Sequence, residues 1–399
     1  MIVSYGLVRQ DRRSLSKFNF NTIVLDEAQY IKNPMTKTAR AVKALHGERR
    51  FAMTGTPLEN HIGELWSIFD FIMPGFLFSY SDFQDRFGVL FKVSSTSYSQ
   101  AELEEMKRKA DAASNDNENF IIDANQLVEQ KTRESLRQLV SPFILRRLKT
   151  DVLKELPEKI TTNIPCPMTP EQQRVYRDHL ARARAQIFTY EQSEGSAQNR
   201  ERMNILGELT RLRQICCDPK LFMPNYEGGS GKLEVLEDLL DNLISGGHRI
   251  LLFSQFTSML EIIKERQEAL GRKIFYIDGQ VPSNKRVELV DEFNAGEGEV
   301  FLISLKAGGT GLNLTGADVV IHYDPWWNPA VEDQATDRAH RIGQEKHVQV
   351  FRLVTIGSIE EKIQEMQEAK QKLLDDIVSA GATYINKMNM DDIKELFAE

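Results

Sequence analysis

The sequence predicts an α/β protein in which two regions with parallel sheets flank a mostly helical section. Short apolar strands alternate with amphipathic helices in residues 21–60 and again after residue 229. This alternation is typical of parallel sheets that helices cover on both faces. The section between these regions contains long helical patterns and a polar stretch at residues 101–119. A chain of 399 residues is also long enough for two domains.

The first region reads as strand, helix and strand. It begins with the apolar strand TIVLDE at residues 22–27. The segment TKTARAVKAL then places Ala39, Val42 and Leu45 at helical spacing. A second strand, RRFAMTGTP, follows at residues 49–57. We therefore expect two parallel strands of one sheet, with a helix between them along the chain.

The middle section, residues 61–225, is expected to be mostly helical. Its clearest helices are TPEQQRVYRDHLARARAQIFTYEQ and RMNILGELTRLRQICC, and Pro170 after Thr169 is a good helix start. The glycine-rich segment NYEGGSGK at residues 225–232 is interpreted as a linker to the next domain.

The second α/β region contains five apolar strands separated by helical segments. The predicted strands are RILLFSQF, KIFYIDG, EVFLISL, DVVIHYD and VQVFRLV. A final amphipathic helix is predicted from residue 358, with one apolar stripe made of Ile359, Ile363, Met366, Leu373 and Ile377.

The composition excludes several classes of protein. A net charge of -8 argues against a protein coated in positive charge, although a basic groove on an acidic body is compatible with nucleic-acid binding. Cys166, Cys216 and Cys217 form no CxxC pair, so we expect no structural zinc site and a reducing, intracellular compartment. No apolar stretch approaches the length that crosses a membrane, so no membrane partner is expected.

Two carboxylates, Asp26 and Glu27, follow the first strand directly. Ligands of open parallel sheets bind at the carboxyl ends of the strands, where one carboxylate can hold Mg²⁺ and the other can activate water for phosphoryl transfer. A bare Asp-Glu pair more often caps the next helix. The full DEAQ sequence, with TGTP at the next strand end, favours the catalytic interpretation.

The segment DQATDRAHRIGQ, residues 333–344, carries two arginines. On a helix, Gln334, Arg338 and Arg341 would form one polar stripe, and its guanidinium groups could neutralise charge on a γ-phosphate. The alternative is a surface helix with ordinary ion pairs. His340 and His322 have no partner at metal-ligand spacing, so both are interpreted as members of hydrogen-bond networks.

Two further segments follow strand ends. LISLKAGGTGLNL contains Gly308, Gly309 and Gly311, which would let the backbone approach a phosphate, although such turns often only join a strand to a helix. Trp326 and Trp327 of DPWWNP could contact a nucleic-acid strand, but packing at a domain interface explains them equally well.

Together, these motifs resemble those of the Snf2-type DNA translocases of helicase superfamily 2. DEAQ resembles motif II, MTGTPLEN motif III and RILLFSQFTSML motif IV. The stretch from SLKAGGTG to DPWWNP is similar to motif V with its extension, and QATDRAHRIGQ is similar to motif VI. FILRRLKTDVLKELPEK and LRQICCDP resemble further blocks of the family, so the resemblance spans nearly the whole chain.

The resemblance implies two RecA-like lobes, with ATP between them and double-stranded DNA running across both. Asp26 is then expected to ligate Mg²⁺ and Glu27 to activate water. Gln334, Arg338 and Arg341 are expected to act in catalysis from the second lobe. The expected nucleotide-binding residues are Gly309, Gly311 and Asn313, and the expected DNA-binding residues are Thr54, Lys306, Trp326 and Trp327.

The same resemblance gives expected domains. Residues 1–75 would form the C-terminal part of the first lobe, 76–228 the helical protrusions and the linker, 229–380 the second lobe with a brace helix, and 381–399 a tail. A DNA-bound complex such as RNA polymerase is a candidate partner. The expected location is the bacterial cytoplasm, at the nucleoid, with the nucleus as the alternative.

The sequence departs from the family at its phosphate-binding loop, G-x-x-x-x-G-K-[ST]. In the nearest match Tyr226 replaces the first glycine and Leu233 replaces Ser or Thr, and the segment precedes a helix instead of following a strand. We therefore interpret the chain as an N-terminally truncated translocase that binds ATP poorly and hydrolyses little or none alone. An upstream reading frame could supply the missing part. The alternative is a DNA-binding or scaffold module without catalysis.

Overall fold

The computed structural model describes residues 1–54, 62–88, 134–145, 155–192, 195–308 and 311–366, together with residues 132, 147, 152 and 153. The chain divides into two compact units, one within Met1–Arg146 and the other within Arg147–Ala369. Both contain parallel sheets and helices, which confirms the predicted α/β fold class. The polar stretch at residues 101–119 and the expected tail at residues 381–399 lie outside the described residues.

The first unit is built around two parallel strands. Its elements are helices α1 (Tyr5–Gln10) and α2 (Arg12–Leu15), strand β1 (Asn19–Leu25), a 3-10 turn (Ala28–Ile31), helix α3 (Lys37–Lys43), strand β2 (His46–Ala52), and helices α4 (Ile62–Ile72) and α5 (Tyr80–Phe87). Thr36 caps α3 by accepting a hydrogen bond from the Ala39 N–H. The predicted strand, helix and strand are confirmed as β1, α3 and β2, and residues 55–57 of the predicted second strand lie outside the described residues.

The two faces of the β1–β2 pair differ in burial. Leu25 lies opposite Ala52, and this face packs on a core that includes Ala39 and Val42 of α3. Val24 lies opposite Phe51 on the other face, and these side chains are 52% and 55% exposed. Parallel sheets are normally covered on both faces, whereas the described residues leave Val24 and Phe51 on this face largely exposed.

The second unit contains a six-stranded parallel sheet. Its elements are strand β3 (Lys159–Cys166), helices α6 (Pro170–Glu191), α7 (Gly195–Cys217) and α8 (Gly231–Ser245), strand β4 (Ile250–Ser254), helix α9 (Thr257–Ala269), strand β5 (Ile274–Ile277), helix α10 (Ser283–Asn294), strand β6 (Val300–Ser304), helix α11 (Leu305–Gly308), strand β7 (Val319–His322), helix α12 (Pro329–Thr336) and strand β8 (Val348–Thr355). Residues 359–366 continue as helix.

Every neighbouring pair in this sheet is parallel, in the order β3-β8-β7-β4-β6-β5. All residues of β4 and β6 are buried. Along β4, Leu251 and Phe253 pack into one core, and Ile250 and Leu252 pack into the other. The five predicted strands of this region are confirmed, and their continuous apolar character follows from burial on both faces.

Helix α6 begins as predicted, at Pro170 after Thr169, whereas α7 begins at Gly195, before the predicted segment. Thr169 accepts a hydrogen bond from the Gln172 N–H, and Gln172 Oε1 accepts one from the Thr169 N–H, which completes a capping box at the start of α6. Strand β3 was not predicted, because its Thr, Asn and Pro residues hide the apolar alternation. It pairs with β8 from Lys159 opposite Val348 to Cys166 opposite Thr355.

The glycine-rich segment interpreted as a linker has both of its flanks in the second unit. Gly231 starts α8, and a Cβ atom there would lie 1.8 Å from the Pro167 carbonyl oxygen, so only glycine fits. Lys232 is buried and bonded to Glu360. This burial agrees with the conclusion that the segment is not a phosphate-binding loop. Among the helices of the described residues, none has the length and apolar character needed to cross a membrane.

Candidate functional site

The DEAQ residues lie at the carboxyl ends of β1 and β2. Met53 donates its N–H to the Leu25 carbonyl at 2.8 Å, and Ala28 donates its N–H to the Met53 carbonyl at 2.9 Å. These bonds hold the turn after β1 against the residues that follow β2. Asp26 and Thr54 therefore come to the same edge of the sheet, which is where ligands of parallel sheets bind.

Neither carboxylate caps the following turn. Glu27 precedes the 3-10 turn with φ 51 and ψ 54 and makes no side-chain cap bond. Asp26 Oδ1 accepts a hydrogen bond at 3.0 Å from the N–H of the next residue, Glu27, which lies before the 3-10 turn. The Asp26 side chain is exposed. The left-handed backbone of a non-glycine residue costs of the order of 1–3 kcal/mol and is typical of functional sites. The geometry contradicts the helix-cap alternative.

Gln29 joins Glu27 to Thr54. Its Nε2 donates to Glu27 Oε2 at 2.7 Å, and its Oε1 accepts from the Thr54 hydroxyl at 2.9 Å. The amide thereby fixes the direction of the Glu27 carboxylate and makes it sensitive to the position of Thr54. The remainder of the TGTP segment, residues 55–57, lies outside the described residues.

Tyr5 supports the same turn from α1. Its hydroxyl donates to the Asp26 carbonyl oxygen at 2.7 Å, and its ring lies 5.1 Å from the Tyr30 ring. Burial and the nearby Asp26 and Glu27 carboxylates raise the pKa of Tyr5 to about 12. The hydroxyl is therefore protonated, and can donate, throughout the physiological pH range.

The donor set at this edge fits Mg²⁺ in the form in which the ion accompanies a nucleotide. Mg²⁺ is commonly bound through one or two carboxylates, together with substrate phosphates and water. The exposed Asp26 carboxylate could supply such a ligand, and the Glu27 carboxylate accepts a hydrogen bond from Gln29. No group of three or more His, Cys, Asp and Glu side chains in the described residues could hold a metal by itself.

In the second unit, three neighbouring strands end at a common edge. The strands β7, β4 and β6 are adjacent in the sheet, and Asp324, Gln255 and Lys306 follow them. Lys306 is exposed, whereas Trp326 and Trp327 are half-buried, with Trp326 packed partly on the core. The structure thus brings three of the four predicted DNA-binding residues to one edge, and Thr54 lies in the first unit.

The arginine segment differs from the prediction. Helix α12 ends at Thr336, so the predicted helical stripe of Gln334, Arg338 and Arg341 is wrong for the two arginines. After Thr336 the Arg338 N–H bonds to the Ala335 carbonyl at 3.1 Å and the Ala339 N–H to the Thr336 carbonyl at 3.0 Å, each three residues back instead of four. The Arg338 carbonyl accepts from the Leu314 N–H at 2.9 Å, and the Ala339 carbonyl accepts from Gln344 Nε2 at 3.2 Å.

The side chains of this segment differ in exposure. Gln334 is half-buried, Arg338 is buried and Arg341 is exposed. The bond from Leu314 to the Arg338 carbonyl also joins the segment to the glycine-rich turn, where Gly311 and Asn313 are exposed. Gly311 has φ +53, which glycine adopts without strain. Gly309 lies outside the described residues.

Both histidines belong to hydrogen-bond networks, as predicted. His322 is buried beside the Thr336 hydroxyl, 2.9 Å from Nε2, and burial lowers its pKa to about 3. His340 Nε2 lies 2.8 Å from the Pro157 carbonyl oxygen and donates to it.

Several residues that organise the site were not found in the sequence. Gln29, Tyr5 and Arg213 each make a contact with a segment far along the chain. No spacing rule connects such positions, so only the folded structure identifies them. Glu332, which accepts from the Trp326 N–H at 2.7 Å, lies close enough in the sequence for a helix-start acid to have been suspected.

Comparison with known proteins gives matches along the chain. Residues 1–221 match the family model of the SNF2-related domain, and residues 231–343 match the model of the helicase conserved C-terminal domain. A putative ATP-dependent helicase/translocase of Bacillus subtilis, YwqA, is 37% identical over 405 residues, which cover 100% of this chain and 40% of that protein.

Two further matches come from other organisms. The SWI/SNF-related matrix-associated actin-dependent regulator of chromatin subfamily A member 1 of Mus musculus is 35% identical, covering 95% of this chain and 34% of that protein. A solved structure, the Sulfolobus solfataricus SWI2/SNF2 ATPase core in complex with dsDNA, is 33% identical with a TM-score of 0.49, covering 98% of this chain and 75% of that chain. The chain therefore spans less than half the length of these two curated relatives.

Proposed function

Because this chain belongs to the SNF2-related family, we propose that it is the motor part of an ATP-dependent translocase that moves along double-stranded DNA. The main support is the hydrogen-bonded chain from Thr54 through Gln29 to Glu27, at the carboxyl ends of β1 and β2. It holds one carboxylate in a fixed direction beside another that is exposed. This is the arrangement that phosphoryl transfer to water needs.

Each polar group has a role in the proposed hydrolysis of ATP. Glu27 orients the attacking water and accepts its proton. Asp26 holds Mg²⁺, which when bound neutralises charge on the phosphate oxygens. Arg338 and Arg341 of the second unit neutralise the negative charge that builds on the γ-phosphoryl group as it is transferred. Gln334 takes part in orienting the groups that react. Gly309, Gly311 and Asn313 line the nucleotide.

The proposed hydrolysis also needs a phosphate-binding loop, and no G-x-x-x-x-G-K-[ST] sequence occurs in this chain. We infer that further polypeptide supplies it and covers the exposed apolar face formed by Val24 and Phe51. Without this polypeptide, the chain should hydrolyse little or no ATP. A DNA-binding scaffold without catalysis is the competing function.

Double-stranded DNA is the proposed partner, in contact with Thr54, Lys306, Trp326 and Trp327. An exposed lysine attracts phosphate groups, and half-buried indole rings give flat apolar contact with the strand. A DNA-bound protein complex such as RNA polymerase is the proposed obstacle or cargo. The buried free thiols suit a reducing compartment. The proposed location is the bacterial cytoplasm, at the nucleoid, with the nucleus as the alternative.

The test compares ATP turnover by this chain with turnover by the protein extended with the residues encoded immediately upstream, each with and without duplex DNA. The extended protein should hydrolyse ATP, and DNA should stimulate it. Replacing Arg341 with alanine should then lower turnover by about a thousandfold. Binding of duplex DNA without turnover by either protein would instead support the scaffold function.

A further inference from the structure

Arg213, near the end of α7, carries a guanidinium group that is buried in the second unit. The residue is only 5% exposed. Its Nη1 donates to Gln255 Oε1 at 2.9 Å, and its Nη2 donates to the Pro325 carbonyl oxygen at 2.7 Å. Pro325 directly precedes Trp326, so the guanidinium reaches from a helix onto the backbone of the DPWWNP loop.

The same guanidinium lies against the aromatic rings of that loop. Its central carbon is 4.5 Å from the centroid of Trp327, 5.6 Å from that of Trp326 and 5.9 Å from that of Phe256. A cation within about 6 Å of an indole face is attracted to it, and the attraction grows when water is excluded. One side chain therefore holds both the loop backbone and its two indoles.

The rest of the loop is fixed independently of Arg213. Asp324 accepts from the Ser254 hydroxyl at 2.5 Å and from the Gln255 N–H at 3.2 Å. The Trp326 N–H donates to Glu332 at 2.7 Å. The path of the backbone is thus defined before and after the indoles, and the guanidinium adds a contact to the rings themselves.

Burial of this charge is costly, because its nearest carboxylate oxygen, Asp324 Oδ2, is 3.8 Å away. Burial lowers the pKa of Arg213, and Asp324 only partly opposes that effect. An apolar side chain of similar volume would fill the position at lower cost. Only a planar group with several donors can bond the carbonyl and stack on the rings together.

We propose that Arg213 is a positioning residue, which sets the orientation of Trp326 and Trp327 and so couples α7 to the DNA-contacting loop. This inference rests on the proposed function, in which these indoles contact duplex DNA. Movement of α7 would shift the guanidinium, and the indoles would follow it. The helix would thereby influence the grip on DNA without contacting DNA itself.

Arg213→Met separates positioning from packing, because methionine fills apolar space without charge or donors. Arg213→Lys keeps the charge but loses the planar fork. Arg211→Ala is the matched control: Arg211 is exposed on the same helix and stacks on Phe222 at 5.0 Å, away from the loop. All variants would carry Trp66→Phe, so that Trp326 and Trp327 are the only tryptophans left.

Three readouts are compared in the full chain: thermal denaturation, acrylamide quenching of tryptophan fluorescence, and binding of labelled duplex DNA. Arg213→Met should melt below the parent protein, because buried Asp324 and the Pro325 carbonyl lose their partner. Measured well below its melting temperature, it should show about twofold stronger quenching and bind DNA about tenfold more weakly. The quenching and DNA affinity of Arg213→Lys should lie between those of Arg213→Met and the parent protein. Arg211→Ala should match the parent protein in both. Should Arg213→Met fail to fold, Arg213→Lys gives the same comparison.

Either of two results would overturn the positioning proposal and leave the proposed DNA contact of the indoles intact. One is unchanged quenching in a folded Arg213 variant. The other is altered quenching with unchanged DNA affinity, while replacement of both Trp326 and Trp327 by alanine weakens binding. If that double replacement leaves DNA binding unchanged, the assignment of the indoles to DNA fails, and the positioning proposal fails with it.

Discussion

Lys232 and Glu360 form a hydrogen-bonded ion pair in which both side chains are completely buried. Lys232 Nζ also donates to the Leu353 carbonyl at 3.2 Å, and Glu360 accepts from the Thr355 N–H at 2.9 Å. Burial alone would lower the pKa of Lys232, but Glu360 raises it above its ordinary value, so the ammonium stays charged. The pair joins the start of α8 to the residues around the end of β8.

Replacing Lys232 with methionine should destabilise the second unit by about 3–5 kcal/mol, because it leaves the Glu360 carboxylate buried without its counter-ion. The free energy of unfolding in urea measures this change. Lys285→Met is the matched control, since the Lys285–Glu288 pair is solvent-exposed and should contribute little to stability. Equal effects of the two changes would contradict a special role for the buried pair.

Glu332 should give the second unit an unusual dependence on pH. Burial raises the pKa of this carboxyl group to about 7, although Arg352, 3.0 Å away, and the Trp326 N–H oppose the rise. The folded state therefore binds a proton that the unfolded chain releases above pH about 4.5. Stability is fully present at low pH and is lost as the pH rises toward about 7.

Glu332→Gln should remove this loss, which amounts to at most about 3 kcal/mol, and keep the acceptor for Trp326. The measurement is the free energy of unfolding between pH 4.5 and 8 for both proteins. His322 acts in the opposite direction, because its lowered pKa destabilises the fold as the pH falls below about 6.5. The difference between the two proteins isolates Glu332, and parallel curves would contradict the prediction.

Strands that are buried on both faces were predicted best. The continuous apolar runs of β4, β6 and β7 leave no other element type of that length, and all three lie where the sequence placed them. The end of α12 was not predictable. Helix periodicity in the sequence continues through Arg338 and Arg341, whereas the Arg338 and Ala339 N–H groups bond three residues back and the Arg338 carbonyl bonds to Leu314.

The candidate site also contains residues that the sequence predicted and residues that it did not. Asp26 and Glu27 could be chosen because they follow a strand directly, and the fold class then places them at a ligand-binding edge. The residues that hold these two carboxylates in place could not be predicted from the sequence. Tyr5 is separated from Asp26 by 21 residues and Gln29 from Thr54 by 25. The first contact needs α1 to pack on the core that contains Leu25, and the second needs β1 and β2 to pair in parallel register.

Tyr5→Phe removes the hydroxyl that bonds to the Asp26 carbonyl and leaves the ring in place. In the protein extended with its upstream residues, turnover should fall about tenfold, because small displacements of catalytic groups are costly. Since the pKa of Tyr5 is raised to about 12, the defect should be the same from pH 6 to 9. Tyr30→Phe, at the exposed neighbouring ring, is the control and should keep normal turnover.

Glu27→Gln tests the central role proposed for the first unit. Glutamine has the shape of glutamate, and its oxygen can still accept from Gln29, so the left-handed turn should persist. The extended protein carrying this change should bind ATP with normal affinity by calorimetry. Its turnover should fall by at least about a hundredfold, because the group that accepts the proton of water is lost. Glu48→Gln, at an exposed carboxylate on β2, should leave both quantities unchanged. Normal turnover by the Glu27 variant would show that this carboxylate does not act as the base.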